Sequence, residues 1–184
     1  MTYEIDIAGL KRKLPICKLT DNLCIGAFVI FGDVELTEHC ARELLKRAPE
    51  YDYLISPEAK AIPLVYEMAR QSKAERYFVA RKNVKAYMHG VFEVTVQSIT
   101  TKGVQRLVLD SEDAALIKGK RMLIVDDVIS TGESLHAMEE LVLKAGGIVA
   151  GRMAPLAEGG AAKRDDIIYL APLPLFTGDG TPIA

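Results

Sequence analysis

Residues 121–134 read Arg121-Met122-Leu123-Ile124-Val125-Asp126-Asp127-Val128-Ile129-Ser130-Thr131-Gly132-Glu133-Ser134. The apolar, β-branched run at 122–125 predicts a short strand that is buried on both faces. Two acids follow it directly, and a turn rich in hydroxyl groups comes next. Apolar residues at helical spacing then predict an amphipathic helix that ends at Gly146-Gly147. This order of strand, acids, turn and helix predicts a ligand site at the carboxyl end of a parallel strand.

The turn and the acids indicate the chemistry of the ligand. Hydroxyl groups and backbone N–H groups at the positive end of a helix favour a phosphate monoester. They come from Ser130, Thr131, Gly132, Glu133 and Ser134. The carboxylates of Asp126 and Asp127 can accept hydrogen bonds from both hydroxyls of a ribose. The stretch therefore predicts a site for a ribose 5-phosphate unit, and the alternative interpretation is a strand end with an Asx turn and a helix cap.

Composition places limits on the class of protein. The 184 residues suit one domain with a substantial core. A net charge of −2 gives no support for binding to nucleic acid. Three cysteines without a CxxC pair favour a reducing compartment. Because we find neither a signal peptide nor an apolar run of membrane-spanning length, we expect a cytoplasmic protein without a membrane partner.

Strands and helices alternate along the chain, which predicts an α/β fold with a parallel sheet and right-handed crossovers. Helices are predicted at 33–48 and 62–72, in addition to the one that follows residue 134. Residues 1–32 resist assignment apart from a strand at 25–31, and 111–119 is expected to be a polar connection. Residues 158–164 are expected to form a turn, and the proline-rich tail is expected to be irregular. The other predicted strands cover 51–56, 76–80, 92–97, 105–110, 147–155 and 167–170.

Two further strand ends carry groups suited to anions. Glu58, Ala59 and Lys60 follow one strand and precede a helix, so that Lys60 and backbone N–H groups would suit a second anion. A cluster of cations follows the next strand, in which Arg81 and Lys85 are candidate ligands for a polyanion. Lys82, and the basic residues 11–13 near the amino end, are interpreted as solvated surface.

The segment 123–134 resembles the phosphoribosyl pyrophosphate motif of the type I phosphoribosyltransferases. From about residue 51 to 175, the order of segments is similar to that of the purine branch, above all the adenine enzymes. The resemblance implies a five-stranded parallel core flanked by helices, with a flexible hairpin loop. It also implies a small hood, formed mainly by residues 1–34 and the C-terminal tail of a single domain that spans 1–184.

The resemblance also implies a reaction and roles for residues. A 5-phosphoribosyl group would pass from phosphoribosyl pyrophosphate to a purine base, with adenine the base that the resemblance favours, and with Mg²⁺ arriving on the substrate. Asp126 and Asp127 would hold the ribose and favour developing positive charge, and residues 130–134 would hold the 5-phosphate. Pyrophosphate would lie at Glu58, Ala59, Lys60, Arg81 and Lys85, with a cis peptide bond between Glu58 and Ala59. A homodimer is expected.

Two segments depart from the family pattern. The loop 98–103 contains no glutamate, although adenine enzymes usually carry one there. Xanthine enzymes also lack this glutamate. In the hood, glycine stands at 32 where an arginine is usual, and Phe31 is either a stacking partner for the base or a buried apolar residue. The alternatives are therefore a xanthine or hypoxanthine–guanine enzyme, a non-catalytic sensor of phosphoribosyl pyrophosphate, or an enzyme or regulator that acts on pyrimidines.

Overall fold

The computed structural model describes residues 1–97 and 104–183. Its helices are α1 (Val34–Leu45), α2 (Ile62–Ser72), α3 (Ser111–Ile117) and α4 (Glu133–Lys144), with a 3-10 helix at Gly159–Lys163. Its first seven strands are β1 (Thr2–Ile7), β2 (Leu10–Lys18), β3 (Leu23–Gly26), β4 (Tyr53–Pro57), β5 (Tyr77–Ala80), β6 (Val91–Gln97) and β7 (Val104–Asp110). The remaining strands are β8 (Arg121–Val125), β9 (Val128–Ile129), β10 (Ile148–Glu158), β11 (Ile168–Leu173), β12 (Leu175–Thr177) and β13 (Pro182–Ile183).

The central sheet has the strand order β11-β10-β8-β4-β5, and every neighbouring pair is parallel. The short strand β9 continues the pairing along β10. Because all these strands run the same way, the loops after β4, β5, β8 and β10 meet at one edge. The predicted parallel α/β fold is confirmed, and it places the acids of 126–127 at that edge.

Side chains alternate between the two faces of the central sheet. In β8, Met122 and Ile124 pack on the face covered by α3, α4 and the β6–β7 hairpin. Leu123 and Val125 pack on the opposite face, against α1, α2 and strands from the amino end. All four side chains are buried. A core on both faces explains why β8 is continuously apolar, and it holds the acids after the strand in a fixed position.

Strands from both chain ends form a second, antiparallel sheet in the order β1-β2-β3-β12-β13. The prediction of an irregular tail is wrong, because Phe176 pairs with Cys24 and is fully buried. The predicted strand at 25–31 ends at Gly26. Arg12 is also no freely solvated cation, since its Nε donates to Asp33 Oδ2 at 2.7 Å and ties β2 to the start of α1.

Three other local predictions need correction or lie outside the described residues. Residues 111–117 form helix α3 rather than a polar connection, since Asp110 caps it by accepting from Glu112 N–H at 3.0 Å. Residues 159–163 form a 3-10 helix rather than a simple turn. The β6–β7 hairpin is antiparallel, and the predicted loop at 98–103 lies outside the described residues. No helix in ranges 1–97 and 104–183 has the length and apolarity needed to cross a membrane.

Candidate active site

Asp126 and Asp127 follow β8 directly and are buried, with 9% and 5% of their surfaces exposed. The backbone holds them tightly: Asp126 N–H donates to Met153 O at 2.9 Å, and Asp127 N–H donates to Asp126 Oδ1 at 2.8 Å. Burial raises the pKa of Asp126, and the adjacent negative charge of Asp127 raises it further. Two buried carboxylates at this edge therefore need a cation or hydrogen-bond donors from a ligand.

Lys60 provides that cation. Its Nζ lies 2.8 Å from Asp127 Oδ2, and half of its side chain remains exposed. Lys60 belongs to the loop after β4, so the ion pair joins two neighbouring strand ends. The peptide bond between Glu58 and Ala59 in the same loop is cis, as the resemblance implied.

Glu58 organises the next group of cations. Its Oε2 accepts from Lys82 N–H at 2.9 Å, and its Oε1 lies 3.2 Å from Arg81 Nη2. The hydrogen bond from Lys82 N–H, together with Arg81 and Lys85, lowers the pKa of Glu58. Arg81 is further fixed by two backbone hydrogen bonds with Val108, both 2.8 Å long. The Glu58 carboxylate therefore orders basic residues around the edge.

Residues 130–134 form a small cradle at the start of α4. Gly132 has φ +84°, a left-handed conformation that turns the chain into the helix. The cradle encloses about 100 Å³, a size suited to one phosphate group, and is lined by Ser130, Thr131, Gly132 and Ser134 among others. Glu133 is the first residue of α4. We call this segment the phosphate loop.

A larger cavity of about 670 Å³ adjoins the phosphate loop. The two spaces share Asp126, Val128 and Ser134 as walls. The larger one is also lined by residues 58–60, by Lys82, Asn83 and Asp127, and by Arg106 from β7. The arrangement therefore places buried acids between a phosphate-sized cradle and a wide space walled by cations.

The structure does not bring every predicted residue to this space. Phe31 is 49% exposed in the turn before α1 and is absent from the cavity wall, so it is not a buried apolar residue. Lys85 and Arg81 are also absent from the wall, although Arg81 contacts Glu58. Lys82 is exposed, as the sequence predicts for a solvated residue, and it also lines the cavity.

Two further residues at this edge escaped the sequence analysis. Arg106 lines the cavity from the hairpin, far along the chain from the other cations. Glu158 ends β10, the strand beside β8. Burial raises the pKa of Glu158, and the charge of Lys60 opposes that rise. The sequence gives little sign of either residue, because Arg106 lies within β7 and Glu158 ends β10, and only the order of the strands brings both to this edge.

A sequence profile of the phosphoribosyl transferase domain matches residues 35–170 of this chain. The chain belongs to the phosphoribosyltransferase family. The predicted membership is thus confirmed, and the matched region contains the acids, the phosphate loop and the loop that carries Lys60.

Curated relatives of this chain include enzymes with different bases in their names. An orotate phosphoribosyltransferase from Caldanaerobacter subterraneus is 31% identical over 124 residues, which cover 66% of this chain and 54% of that protein. An adenine phosphoribosyltransferase from Pseudothermotoga lettingae is 33% identical over 104 residues, which cover 55% of this chain and 56% of that protein. The aligned regions therefore span only about half the length of these relatives.

Solved structures support the fold of this chain. The adenine phosphoribosyltransferase from Thermoanaerobacter pseudethanolicus superposes with a TM-score of 0.61 at 23% identity, covering 94% of this chain and 95% of that one. The alignment therefore covers nearly the full length of both chains.

Proposed function

We propose that this phosphoribosyltransferase moves the 5-phosphoribosyl group from phosphoribosyl pyrophosphate to a purine base, with adenine preferred, in purine salvage. The observation that carries the proposal is the 2.8 Å ion pair between Lys60 and Asp127. It sets an anion-binding loop beside the acids, and the phosphate loop lies on their other side. A ribose with phosphate at C5 and diphosphate at C1 fits this order of groups.

Asp126 and Asp127 accept hydrogen bonds from the ribose hydroxyls and orient the sugar. The bond between C1 and the diphosphate oxygen largely breaks before the base attacks, so the sugar acquires positive charge. Carboxylates that backbone hydrogen bonds hold in place stabilise that charge without reorganising. The protein thus mainly positions the reactants and stabilises charge.

The leaving diphosphate develops negative charge as the bond breaks. Lys60, Lys82 and Arg106 line the cavity in which it would lie. Arg81 supports this wall through its contact with Glu58. Cationic hydrogen-bond donors of this kind stabilise phosphate oxygens by charge-assisted bonds.

Magnesium fits the site as a partner of the substrate. Within the described residues, no group of three or more His, Cys, Asp or Glu side chains stands ready to hold a metal ion. Mg²⁺ prefers phosphate oxygens and water, supplemented by one or two carboxylates. The ion would therefore be held mainly by the diphosphate, with Asp126 and Asp127 near it, and it would neutralise charge on the leaving group.

The acceptor base is the finer part of the proposal. Support for adenine comes from the adenine enzymes among the relatives, whereas the orotate enzyme supports a pyrimidine acceptor. We further propose that Glu158, which ends the strand beside β8, faces the base, where its carboxylate would accept from an exocyclic amino group and repel the carboxylate of orotate. Stacking of Phe31 on the base stays a prediction, because Phe31 is exposed but is not part of the cavity wall.

A second candidate function is a sensor that binds phosphoribosyl pyrophosphate without catalysis. The observation in its favour is the absence of an acid in the sequence 98–103, which lies outside the described residues. Turnover with any base separates the two functions, since a sensor would bind the substrate and release no pyrophosphate.

We also propose that the enzyme acts as a homodimer. Val34 and Tyr66 expose 69% and 54% of their surfaces and line one groove between α1 and α2. Exposed apolar side chains that share a groove are common at subunit contacts. Light scattering of the purified protein tests this proposal, and a monomer at micromolar concentration would contradict it.

The reaction is tested by pyrophosphate release with phosphoribosyl pyrophosphate and Mg²⁺, with adenine, hypoxanthine, guanine, xanthine and orotate offered in parallel. Adenine should give the highest kcat/KM. Asp127→Asn should lower kcat/KM by about 100-fold or more, because it removes charge stabilisation from the transition state. Asp21→Asn, on an aspartate whose side chain is 94% exposed, is the matched control and should leave the rate unchanged.

Each base gives a distinct outcome. If a 6-oxopurine is turned over faster than adenine, the 6-oxopurine is the preferred acceptor. Turnover of orotate alone would overturn the purine assignment. Binding of phosphoribosyl pyrophosphate without turnover of any base would favour the sensor.

A further inference from the structure

We propose that Arg164 is a positioning residue for the phosphate loop. Its side chain holds the turn at Gly132 in the shape that binds the 5-phosphate. This inference rests on the proposed function, because it deepens the role given there to residues 130–134. Arg164 follows the 3-10 helix Gly159–Lys163 and belongs to a different part of the chain from the loop.

The contact between Arg164 and the loop is close. A Cβ atom placed on Gly132 would lie only 2.7 Å from Arg164 Nη1, well inside normal contact distance. The guanidinium therefore packs against the one residue of the loop that has a left-handed backbone. Gly132 is also the N-cap of α4, and its carbonyl accepts from His136 N–H at 2.8 Å. Movement of Gly132 would thus move the helix start and the N–H groups aimed at the phosphate.

Asp166 fixes the direction of the guanidinium. Arg164 Nε donates to Asp166 Oδ1 at 2.8 Å, and Nη2 donates to Asp166 Oδ2 at 2.7 Å. This two-pronged contact holds the planar group in one orientation. Within the part of the chain that the structure describes, Nη1 makes no hydrogen bond, and it is the nitrogen that faces Gly132. The orientation therefore presents an unused donor to the back of the loop.

The surrounding charges connect this pair to α4. Arg152 of β10 hydrogen-bonds Glu139 of α4, and its Nε also lies 3.9 Å from Asp166 Oδ2. The four side chains Glu139, Arg152, Arg164 and Asp166 together carry no net charge. Arg164 therefore acts by orientation and by the nearness of Nη1 to the loop, and not by adding net charge to the site. This network braces the loop against both α4 and β10.

Holding the phosphate loop in a fixed shape should affect substrate binding more than the chemical step. The 5-phosphate is remote from C1 and keeps the same contacts in the bound substrate and in the transition state. Uniform binding of this kind lowers KM without raising kcat. Loss of the brace should also add an ordering cost each time the loop closes on a phosphate.

The test compares Arg164→Ala, Arg164→Lys and the control Lys163→Ala, which removes a neighbouring exposed cation. Steady-state kinetics with phosphoribosyl pyrophosphate and calorimetric titration with ribose 5-phosphate are measured for each. Arg164→Ala should raise KM, and the Kd for ribose 5-phosphate, by about tenfold with kcat changed less than about twofold. Arg164→Lys keeps the charge but loses the fork to Asp166, so it should fall between wild type and Arg164→Ala.

Several outcomes would overturn the inference. Unchanged KM and Kd in Arg164→Ala would do so, as would equal losses in Arg164→Ala and Lys163→Ala. A fall in kcat that matches the rise in KM, with a lower melting temperature, would also overturn it, because general destabilisation would then explain the loss. Because ribose 5-phosphate binding needs no turnover, a wild type without activity would remove the proposed reaction but leave this test intact.

Discussion

Lys60 Nζ lies 2.8 Å from Asp127 Oδ2, so the cation of one strand end neutralises the buried acid of the next. Both residues are proposed to contact the same substrate. A diphosphate that approaches Lys60 must therefore share or take over a cation that the free protein uses itself. Ribose hydroxyls would then replace Lys60 as donors to Asp127. In the free protein, Lys60 thus makes the contact with Asp127 that the ribose hydroxyls would make in the complex.

Lys60→Met tests this exchange. The variant removes the cation from the diphosphate and leaves a buried carboxylate without its partner. KM for phosphoribosyl pyrophosphate should rise and kcat should fall, with kcat/KM reduced by about 100-fold, because the contact strengthens as the diphosphate leaves. Steady-state kinetics provide the measurement. Lys11→Met, at a side chain that is 76% exposed, is the control, and equal kinetics in both variants would contradict the proposed role.

Asp126→Asn should raise the stability of the free protein while it lowers the activity. Burial raises the pKa of Asp126 in the folded protein, so its contribution to stability is fully present below the unfolded pKa of about 4 and is lost as pH rises through the raised value. The amide removes that loss and can still accept from Asp127 N–H. The free variant should therefore be more stable than wild type at pH 7.5 by about 1–2 kcal/mol, with little gain near pH 4.

Urea unfolding at both pH values measures this difference, while pyrophosphate release should be nearly abolished. A variant that is less stable than wild type at pH 7.5 would show that the Asp126 charge is satisfied in the free protein.

Gly132→Ala should weaken phosphate binding for two reasons. Alanine is strained at φ +84°, and its Cβ would meet Arg164 Nη1 at 2.7 Å. In the Arg164→Ala background the clash disappears and only the backbone strain remains. The affinity loss caused by Gly132→Ala should then be smaller, by about threefold or more. Titration of the four proteins with ribose 5-phosphate gives the coupling, and strictly additive losses would contradict the contact.

Glu158→Gln should change the choice of base. The carboxylate only accepts hydrogen bonds, whereas an amide can also donate to the carbonyl of a 6-oxopurine. The ratio of kcat/KM for adenine to that for hypoxanthine should fall by about threefold or more. Parallel assays with the two bases measure the ratio. Glu112→Gln, on an exposed acid of α3, should leave it unchanged, and an unchanged ratio in Glu158→Gln would place Glu158 away from the base.

Local signals in the sequence were reliable where an element carries its own boundaries. Helix α2 spans the predicted residues 62–72, since Pro63 suits a first helical turn and the apolar spacing is regular. Strand β8 and helix α4 lie close to their predicted positions for the same reason. By contrast, α3 was missed because only Ala114 and Ile117 are buried in so short a helix.

Contacts between distant parts of the chain could not be predicted from the sequence. Phe176 is buried because it pairs with Cys24 from the other end of the chain, and no local pattern announces that partner. The tertiary structure also decides which cations reach the cavity wall. Lys82 lines the cavity, whereas Lys85 is absent from its wall, and the hydrogen bond from Lys82 N–H to Glu58 contributes to that choice.

The sequence by itself determined the strand, the acid pair and the phosphate loop, because these groups are contiguous and their backbone geometry is local. Only the tertiary structure decided which distant groups join them: Lys60 beside Asp127, Arg106 in the cavity wall, Glu158 at the next strand end, and Arg164 behind Gly132. The physical reason is that strand order and packing on both faces of the sheet set those distances, and neither is encoded in any short segment.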